Sequence, residues 1–447
     1  MSQLMGLNEF DIFNEKKTEV VNETGGKVFP DGRCIELFTH DGHLGLLDSS
    51  NNSFNERIEY QGQTYVPPTI HPSLLKILRL PTGGICDSTA NNFKHICTLF
   101  MERGISERAA KGLTYWAVST WFAELFPLAP CLILTGSRPE ASLVLQLLSC
   151  IVRHGLPLAD INMSGFRFLP MHIQPTLLIS NLSPATLRAL SMSNCPGVYL
   201  PTKDGFADLY CAKAIYAGDH LLEAALGSAF RVHLASSHGK LPVISDLEQR
   251  ELAADLQARL AAYRIMNASQ VRVSDFDVPT LGSELRMLAR VLGSAIVDAP
   301  ELRADLVNLL REYQEEICAG NAFNEESIAV EALLSHSHSY EPDQLVYVGQ
   351  LADTSNRLLK ERGSREKLEP KALGWAIRSS LGLSSKRNAK GFAIKLTEDV
   401  RHRIHQLAWE RQVSVTEETV AKCSYCTKIF APDGVGGKPK FGTPSAA

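Results

Sequence analysis

Residues 132–143, Leu-Ile-Leu-Thr-Gly-Ser-Arg-Pro-Glu-Ala-Ser-Leu, combine an apolar strand, a glycine turn and the start of a helix. A buried strand that runs directly into a helix is the building unit of a parallel α/β sheet. A second apolar strand, within Gln174–Asn181, follows about 40 residues further on. The sequence therefore predicts an α/β core that contains both strands.

The turn after the first strand has the layout of a phosphate loop but lacks its working residues. In G-x-x-x-x-G-K-[ST], backbone amides surround the phosphates, the Lys contacts the β and γ oxygens, and the Ser/Thr holds Mg²⁺. Only Gly136 is kept here, and Ala141, Ser142 and Leu143 occupy the positions of the second Gly, the Lys and the metal ligand. Efficient nucleotide hydrolysis at this turn is not expected.

The second strand shows a matching loss. A phosphate-site strand of this kind ends in acidic residues that hold Mg²⁺ and activate water. Ser180 and Asn181 stand at those positions. The two losses together favour a phosphate-loop fold whose catalytic residues have been replaced.

On these residues the chain resembles the helicase-like P-loop ATPases (AAA+-type) of phage and plasmid primase-helicases. The resemblance covers about residues 75–320 and is carried by Thr120–Phe122, Ala129–Pro130, Leu134–Gly136 and Pro175–Ile179. It implies a P-loop fold, a context of phage-type or mobile-element replication, and a degenerate nucleotide site at Gly136, Ser137, Arg138, Ser142, Ser180, Asn181, Lys213 and Arg231. No catalytic residue and no cofactor is assigned. Backbone amides around Gly136 are expected at most to bind ATP weakly, without hydrolysis.

Two other functions stay open at this point. An active DNA-stimulated ATPase or helicase would need Arg138, Lys213 or Arg231 to compensate, with a carboxylate from Asp160 or Asp208. A transcriptional regulator would use the core to sense a ligand.

The chain divides into four predicted segments. Residues 1–74 alternate like short strands separated by turns and predict a small β module, and its His40 and His43 are read as turn residues. Residues 75–320 form the P-loop-like core, in which Trp116 and Trp121 are assigned to helix packing. Residues 321–414 predict a winged helix, and residues 415–447 a disordered tail that contains a C-x-x-C.

The winged-helix prediction rests on element order and charge. Three helices precede a basic turn at Ser384–Gly391, a strand at Phe392–Leu396 and a last helix from Thr397. Residues 357–411 hold 14 Lys/Arg against 6 Asp/Glu, whereas the whole chain has a net charge of −4. Clustered cations are typical of nucleic-acid binding. The expected DNA contacts are Lys371, Arg378, Lys386, Arg387, Lys390 and Lys395.

The main competitor is a winged helix that docks a protein. Trp375 lies between Lys371 and Arg378, but its neighbours Leu373, Ala376 and Ile377 assign it to the core. DNA is the expected partner, and a homo-oligomer is left open.

Cys423 and Cys426 have the spacing of half a zinc knuckle. A structural zinc needs four ligands, and the 21 residues after Cys426 contain no Cys or His. A closed site would need distant residues or a second chain, so the two thiols are predicted to be free. His336 and His338 are read as part of a polar loop, and no metal site is predicted.

Composition sets the remaining bounds. The 447 residues are 45% hydrophobic and 21% charged, which is ordinary for a globular protein of two or three domains. No apolar run approaches the roughly 18 residues that span a bilayer, and Met1–Lys17 lacks the layout of a signal peptide. A cytoplasmic protein without a membrane partner is expected.

Overall fold

The computed structural model describes residues 21–181, 183, 190, 193–202, 205–218, 229–236, 242–411, 413, 415 and 417–430. The chain divides into two compact units. Among described residues, the first unit contains those up to Phe276 together with Arg290–Ala304, and the second contains Asp277–Ala289 and those from Asp305 onward. The β module and the α/β core, predicted as separate segments, therefore lie in one unit.

The first unit begins with two small sheets. Strands β2 (Gly26–Val28), β3 (Cys34–His40), β4 (His43–Asp48) and β5 (Ser53–Asn55) form an antiparallel meander. Strands β1 (Val21–Glu23), β6 (Ile58–Tyr60) and β7 (Gln63–Val66) form a second sheet in the order β1-β7-β6. Their apolar side chains pack on one another and on Ile173 of the α/β core, which explains why the β module is not a separate body.

A helical layer leads into the α/β core. The short helix α1 (Pro72–Leu75) precedes α2 (Thr89–Glu102), α3 (Glu107–Ser119) and a 3-10 helix, Thr120–Leu125. Ser88 and Ser106 cap α2 and α3 by accepting from backbone amides of the first turns. Trp116 and Trp121 are buried, as predicted.

The centre of the first unit is a five-stranded parallel sheet. Its strands are β8 (Cys131–Gly136), β9 (Gly155–Leu158), β10 (Thr176–Ile179), β13 (Lys213–Tyr216) and β14 (Phe230–Leu234), in the spatial order β14-β8-β13-β10-β9. The first four residues of β8 and all four of β10 are buried, as expected for strands covered on both faces. The predicted α/β core is confirmed.

The remaining elements of the first unit surround this sheet. Helix α4 (Arg138–Ile151) follows β8 and packs on α6 (Asp246–Asn267). The others described are α5 (Met163–Phe166), a hairpin of β11 (Tyr199–Thr202) and β12 (Gly205–Asp208), and 3-10 turns at Met171–Ile173, Ala268–Gln270 and Val273–Asp275. Helix α7 (Ser283–Ser294) has residues in both units.

A buried charge network joins the β module to the α/β core within this unit. Glu36 of β3 is fully buried and accepts from Arg153 Nε at 2.9 Å and Arg264 Nε at 2.6 Å. Both guanidiniums are buried, and both also contact Glu124. The pKa of Glu36 lies far below its ordinary value because these guanidiniums outweigh burial, which would raise it.

The second unit contains helices and one small sheet. After α8 (Pro300–Asn321), part of which belongs to the first unit, come α9 (Glu325–Ser339), β15 (Leu345–Tyr347), α10 (Val348–Glu361) and α11 (Pro370–Ser379). The hairpin of β16 (Lys386–Asn388) and β17 (Gly391–Lys395) precedes α12 (Glu398–Glu410). The three strands pair antiparallel in the order β15-β17-β16.

Two segments differ from their predicted structure. The polar loop expected around His336 and His338 is wrong, because both residues lie in the last turn of α9. Within the segment predicted as a disordered tail, Glu417–Lys422 (α13) and Ser424–Phe430 (α14) are helical. Cys426 is completely buried in the core of the unit with Val413 and Val415, which gives these short helices apolar packing. The rest of that tail, 431–447, lies outside the described residues.

None of the described helices combines the length and the apolar character that a membrane span requires.

Candidate functional sites

The connection between β8 and α4 is too short to surround a phosphate. β8 ends at Gly136 and α4 begins at Arg138, so Ser137 alone separates them. Gly136 has a φ of +85°, and Ser137 N donates to the Leu234 carbonyl at 2.9 Å. A working phosphate loop places four residues between its two glycines. This turn instead closes directly onto β14.

The first turn of α4 is also poorly suited to an anion. Pro139 has no backbone N–H to donate. The Ser137 hydroxyl donates to the carboxylate of Glu140, a buried residue in the same turn. A carboxylate here already balances the positive end of the helix, and it would repel a phosphate.

The carboxyl ends of β8 and β10 are joined by side chains. Arg138 donates to Asn181 Oδ1 at 2.8 Å, so the cation of the turn contacts the amide that replaces an acidic residue. The Tyr216 hydroxyl, at the end of the intervening β13, donates to the Gly136 carbonyl at 2.9 Å. Ser180, beside Asn181, is exposed. The structure thus brings Gly136, Arg138 and Asn181 to one edge of the sheet.

The other predicted nucleotide-site residues lie elsewhere. Lys213 is the first residue of β13, at the amino ends of the parallel strands. It is buried there and donates to Asn194 Oδ1 at 2.6 Å. Arg231 lies on the edge strand β14, paired in register with Ile133. Ser142 is exposed in α4.

The two carboxylates considered for an active enzyme are not beside β8. Asp160 follows β9, which is an outer strand separated from β8 by β13 and β10. Asp208 is the last residue of β12, which is not one of the five strands.

The second unit carries a basic surface on α11. Lys371, Trp375 and Arg378 are exposed at spacings of four and three residues, so they share one side of the helix. Leu373, Ala376 and Ile377 on the other side are buried. The assignment of Trp375 to the core is wrong, since its side chain is 65% exposed. The helical spacing of Trp375 from Lys371 and Arg378 is the sequence feature that indicates its exposed position.

The hairpin extends this surface. Arg378 Nη1 lies 3.3 Å from Ser385 Oγ, and its guanidinium carbon lies 5.2 Å from the centre of the exposed Phe392 ring. Arg387 of β16 pairs in register with Phe392 of β17. We call the following set the basic face: Lys371, Trp375, Arg378, Lys386, Arg387, Lys390 and Phe392.

Other cations of this region are already engaged. Lys395 Nζ lies 3.0 Å from Asp343, and Arg362 Nη2 lies 2.6 Å from Glu331. Arg401 is buried and donates to the carbonyls of Ser337, Leu396 and Tyr340. By contrast, within the described part of the chain, no cation of the basic face has a carboxylate partner. The net charge of this region therefore overstates its free positive charge.

We expect Trp375→Ala to change the free energy of unfolding by less than about 0.5 kcal/mol, because the side chain packs little. If the basic face contacts DNA, the same change weakens DNA binding, since stacking on an aromatic ring contributes about 1–3 kcal/mol per base. Denaturant titration and fluorescence anisotropy measure the two effects separately. The control is Trp121→Ala, which removes a buried side chain of the first unit and is expected to destabilise by about 3–5 kcal/mol.

Comparisons with known proteins give weak similarity only. No model of a known protein family matches the sequence, and no curated protein does. The active helicase Cch of SCCmec type IV is similar with a TM-score of 0.40 and 10% identity, over 87% of this chain and 81% of that one. The apo C-terminal region of NrS-1 gives 0.32 and 11%, over 81% and 96%. Cdc6p from Pyrobaculum aerophilum gives 0.18 and 11%, over 65% and 90%. At these scores the similarity assigns no role to any residue.

Proposed function

We propose that this protein binds DNA through a winged helix in its second unit and that its parallel sheet is a scaffold that does not hydrolyse ATP. The order α9, β15, α10, α11, hairpin, α12 is that of a winged helix, with α11 as the third helix and the β16–β17 hairpin as the wing. In such domains the third helix enters the major groove and the wing contacts the backbone.

The continuity of the basic face is the observation that carries the proposal. Arg378 contacts both Ser385 and Phe392, so the exposed side of α11 and the hairpin form one surface. Clustered cations on such a surface release counterions from DNA, which makes binding favourable and strongly dependent on salt. Trp375 and Phe392 add apolar contact area, which suits a thymine methyl group or an unstacked base.

The strand order supports a P-loop-like core, because β13 lies between β8 and β10, the two strands that end in the degenerate positions. Two features support a scaffold rather than an ATPase. The turn after β8 is shortened to Ser137, and Glu140 lies in the first turn of α4. Finally, Arg138 contacts Asn181 where an ATPase needs a metal-binding carboxylate. Phage-type or mobile-element replication is the setting that the family resemblance implies.

The test compares DNA binding of the wild type with Lys386→Glu/Arg387→Glu by fluorescence anisotropy across a salt series. Each lost phosphate contact lowers the slope of log K against log salt by about 0.9, so the variant is expected to lose about 2 in slope and at least about tenfold in affinity. The matched control is Lys76→Glu/Lys94→Glu, which makes the same change in net charge at exposed lysines of the first unit.

Each arm has an outcome that contradicts the proposal. Equal losses in both double variants would mean that net charge, not the basic face, determines binding. No binding of duplex or single-stranded DNA by the wild type would point to a winged helix that docks a protein. Magnesium-dependent ATP turnover stimulated by DNA would show that the sheet is an active ATPase.

A further inference from the structure

Four potential metal ligands from three separate segments meet in the second unit. His338 lies in the last turn of α9 and His405 on α12, whereas Cys423 precedes α14 and Cys426 lies within it. One ligand atom from each residue lies within 4.8 Å of the other three. We call this group the C-terminal cluster.

Three distances define the cluster. His338 Nε2 lies 3.1 Å from His405 Nε2 and 3.2 Å from Cys426 Sγ, and Cys423 Sγ lies 3.3 Å from His405 Nε2. A tetrahedral Zn²⁺ with bonds of about 2.0–2.3 Å holds its ligand atoms about 3.3–3.8 Å apart. The observed separations are close to those edges, so a small outward movement makes room for the ion.

The surroundings prepare His405 to bind a metal. Its Nδ1 lies 2.7 Å from the Arg401 carbonyl, so this nitrogen carries the proton and Nε2 presents its lone pair to the cluster. Arg401 is itself fixed by the carbonyls that it contacts.

Hydrogen bonding alone explains the cluster poorly. With Nδ1 protonated, neutral His405 offers one lone pair at Nε2, yet both His338 Nε2 and Cys423 Sγ approach that atom. His338 Nε2 in turn faces both His405 and Cys426, although it holds at most one proton. Four polar atoms that converge on one point suit a central cation.

We propose that His338, His405, Cys423 and Cys426 bind one Zn²⁺ as a closed structural site. Two thiolates and two imidazoles form the Cys₂His₂ ligand set of structural zinc. Helices of 6 and 7 residues, as α13 and α14 are, have little stability by themselves. The ion attaches the segment 417–430 to α9 and α12. This inference does not depend on DNA binding or on the role of the parallel sheet.

The test begins with metal analysis of the full chain, purified under reducing conditions without a metal-affinity tag. We expect about one zinc per chain, and replacement by Co²⁺ is expected to give the intense visible absorption and thiolate charge-transfer bands of a tetrahedral site. Removing the ion with a chelator should speed tryptic cleavage at Lys422 and Lys428, and added Zn²⁺ should reverse the effect.

Matched variants locate the ligands. His338→Ala, His405→Ala and Cys426→Ser are expected to reduce bound zinc to about zero. The controls are expected to keep the zinc. They are His336→Ala, on the same helix as His338 but with its imidazole against Thr354 of α10, His402→Ala, whose imidazole contacts Gln406, and Cys86→Ser at an exposed cysteine. The cobalt spectrum is measured on the wild type, so this part of the test does not depend on whether the variants fold.

Wild-type protein without zinc that also gives no tetrahedral cobalt spectrum after reconstitution would overturn the proposal. A Cys423–Cys426 disulfide that persists in reducing buffer would overturn it equally. Loss of zinc from His336→Ala or His402→Ala to the same extent as from His338→Ala would show that the ion binds elsewhere.

Discussion

Replacement of Glu36 by Gln is expected to lower the free energy of unfolding of the first unit by about 3–5 kcal/mol, because it leaves buried guanidiniums without their carboxylate. Arg153 and Arg264 both lose a charged acceptor, and Glu124 is the remaining carboxylate in contact with them. Gly26 also shows how closely these groups pack, since a Cβ there would lie 2.3 Å from Arg153 Nη2. An amide of the same size cannot satisfy both cations.

A denaturant titration that is monitored by hydrogen exchange of peptides from β3 and β8 measures this change in the first unit. Glu59→Gln is the control, because its exposed carboxylate pairs with Arg57 at the surface, and the change should cost less than about 1 kcal/mol. A loss below about 1 kcal/mol for Glu36→Gln would mean that the two guanidiniums find other partners.

The same carboxylate predicts a pH dependence. Its pKa in the folded protein is lowered by Arg153 and Arg264 against the opposing effect of burial, whereas an unfolded Glu titrates near pH 4.3. Above that pH both states are ionised, and the full stabilisation is present. As the pH falls further, the unfolded state takes up the proton first, so stability is lost. The difference between wild type and Glu36→Gln should be constant from about pH 8 to 5 and should shrink below about pH 4.

Gly136→Ala is expected to destabilise the first unit by about 3 kcal/mol, by combining an unfavourable backbone conformation with a clash. The added Cβ would lie 2.4 Å from the Leu234 carbonyl oxygen, which is the acceptor for Ser137 N. The turn would have to move away from β14.

Gly42 provides a matched control for this substitution. Its φ of +80° is nearly that of Gly136 at +85°, yet a Cβ there meets nothing within 4 Å. Gly42→Ala should therefore cost only the conformational part, about 1 kcal/mol. Equal losses in the two variants, measured by denaturant titration, would show that the contact with Leu234 is relieved without cost.

Much of the parallel sheet is predictable from local sequence. β8 and β10 are continuous apolar runs that end in turn residues, and this pattern reports burial on both faces. Sequence does not report register. The prediction places Lys213 in the nucleotide site with Gly136. It is instead the first residue of β13, at the amino ends of the parallel strands, where its ammonium group donates a hydrogen bond to Asn194. The sequence also does not predict the Glu36 network, because its members are far apart in the chain.

The two sites proposed in the second unit differ in how well sequence predicts them. The cations of the basic face are neighbours along α11 and the hairpin, so helical spacing and charge locate them. The C-terminal cluster combines residues 338, 405 and 423–426, and a local motif shows only its C-x-x-C half. Core packing of α9 against α12 and of α12 against α14 supplies the other half, and a single sequence carries no direct record of such packing.

The buried carboxylate of β3 also bears on the order in which the chain is made. Glu36 contacts guanidiniums 117 and 228 residues later in the sequence. Since synthesis proceeds from the N-terminus, the β module leaves the ribosome well before Arg264 is added. Until then the Glu36 carboxylate remains hydrated, and the module cannot complete its packing. The first unit therefore reaches its native state late in translation, as one body.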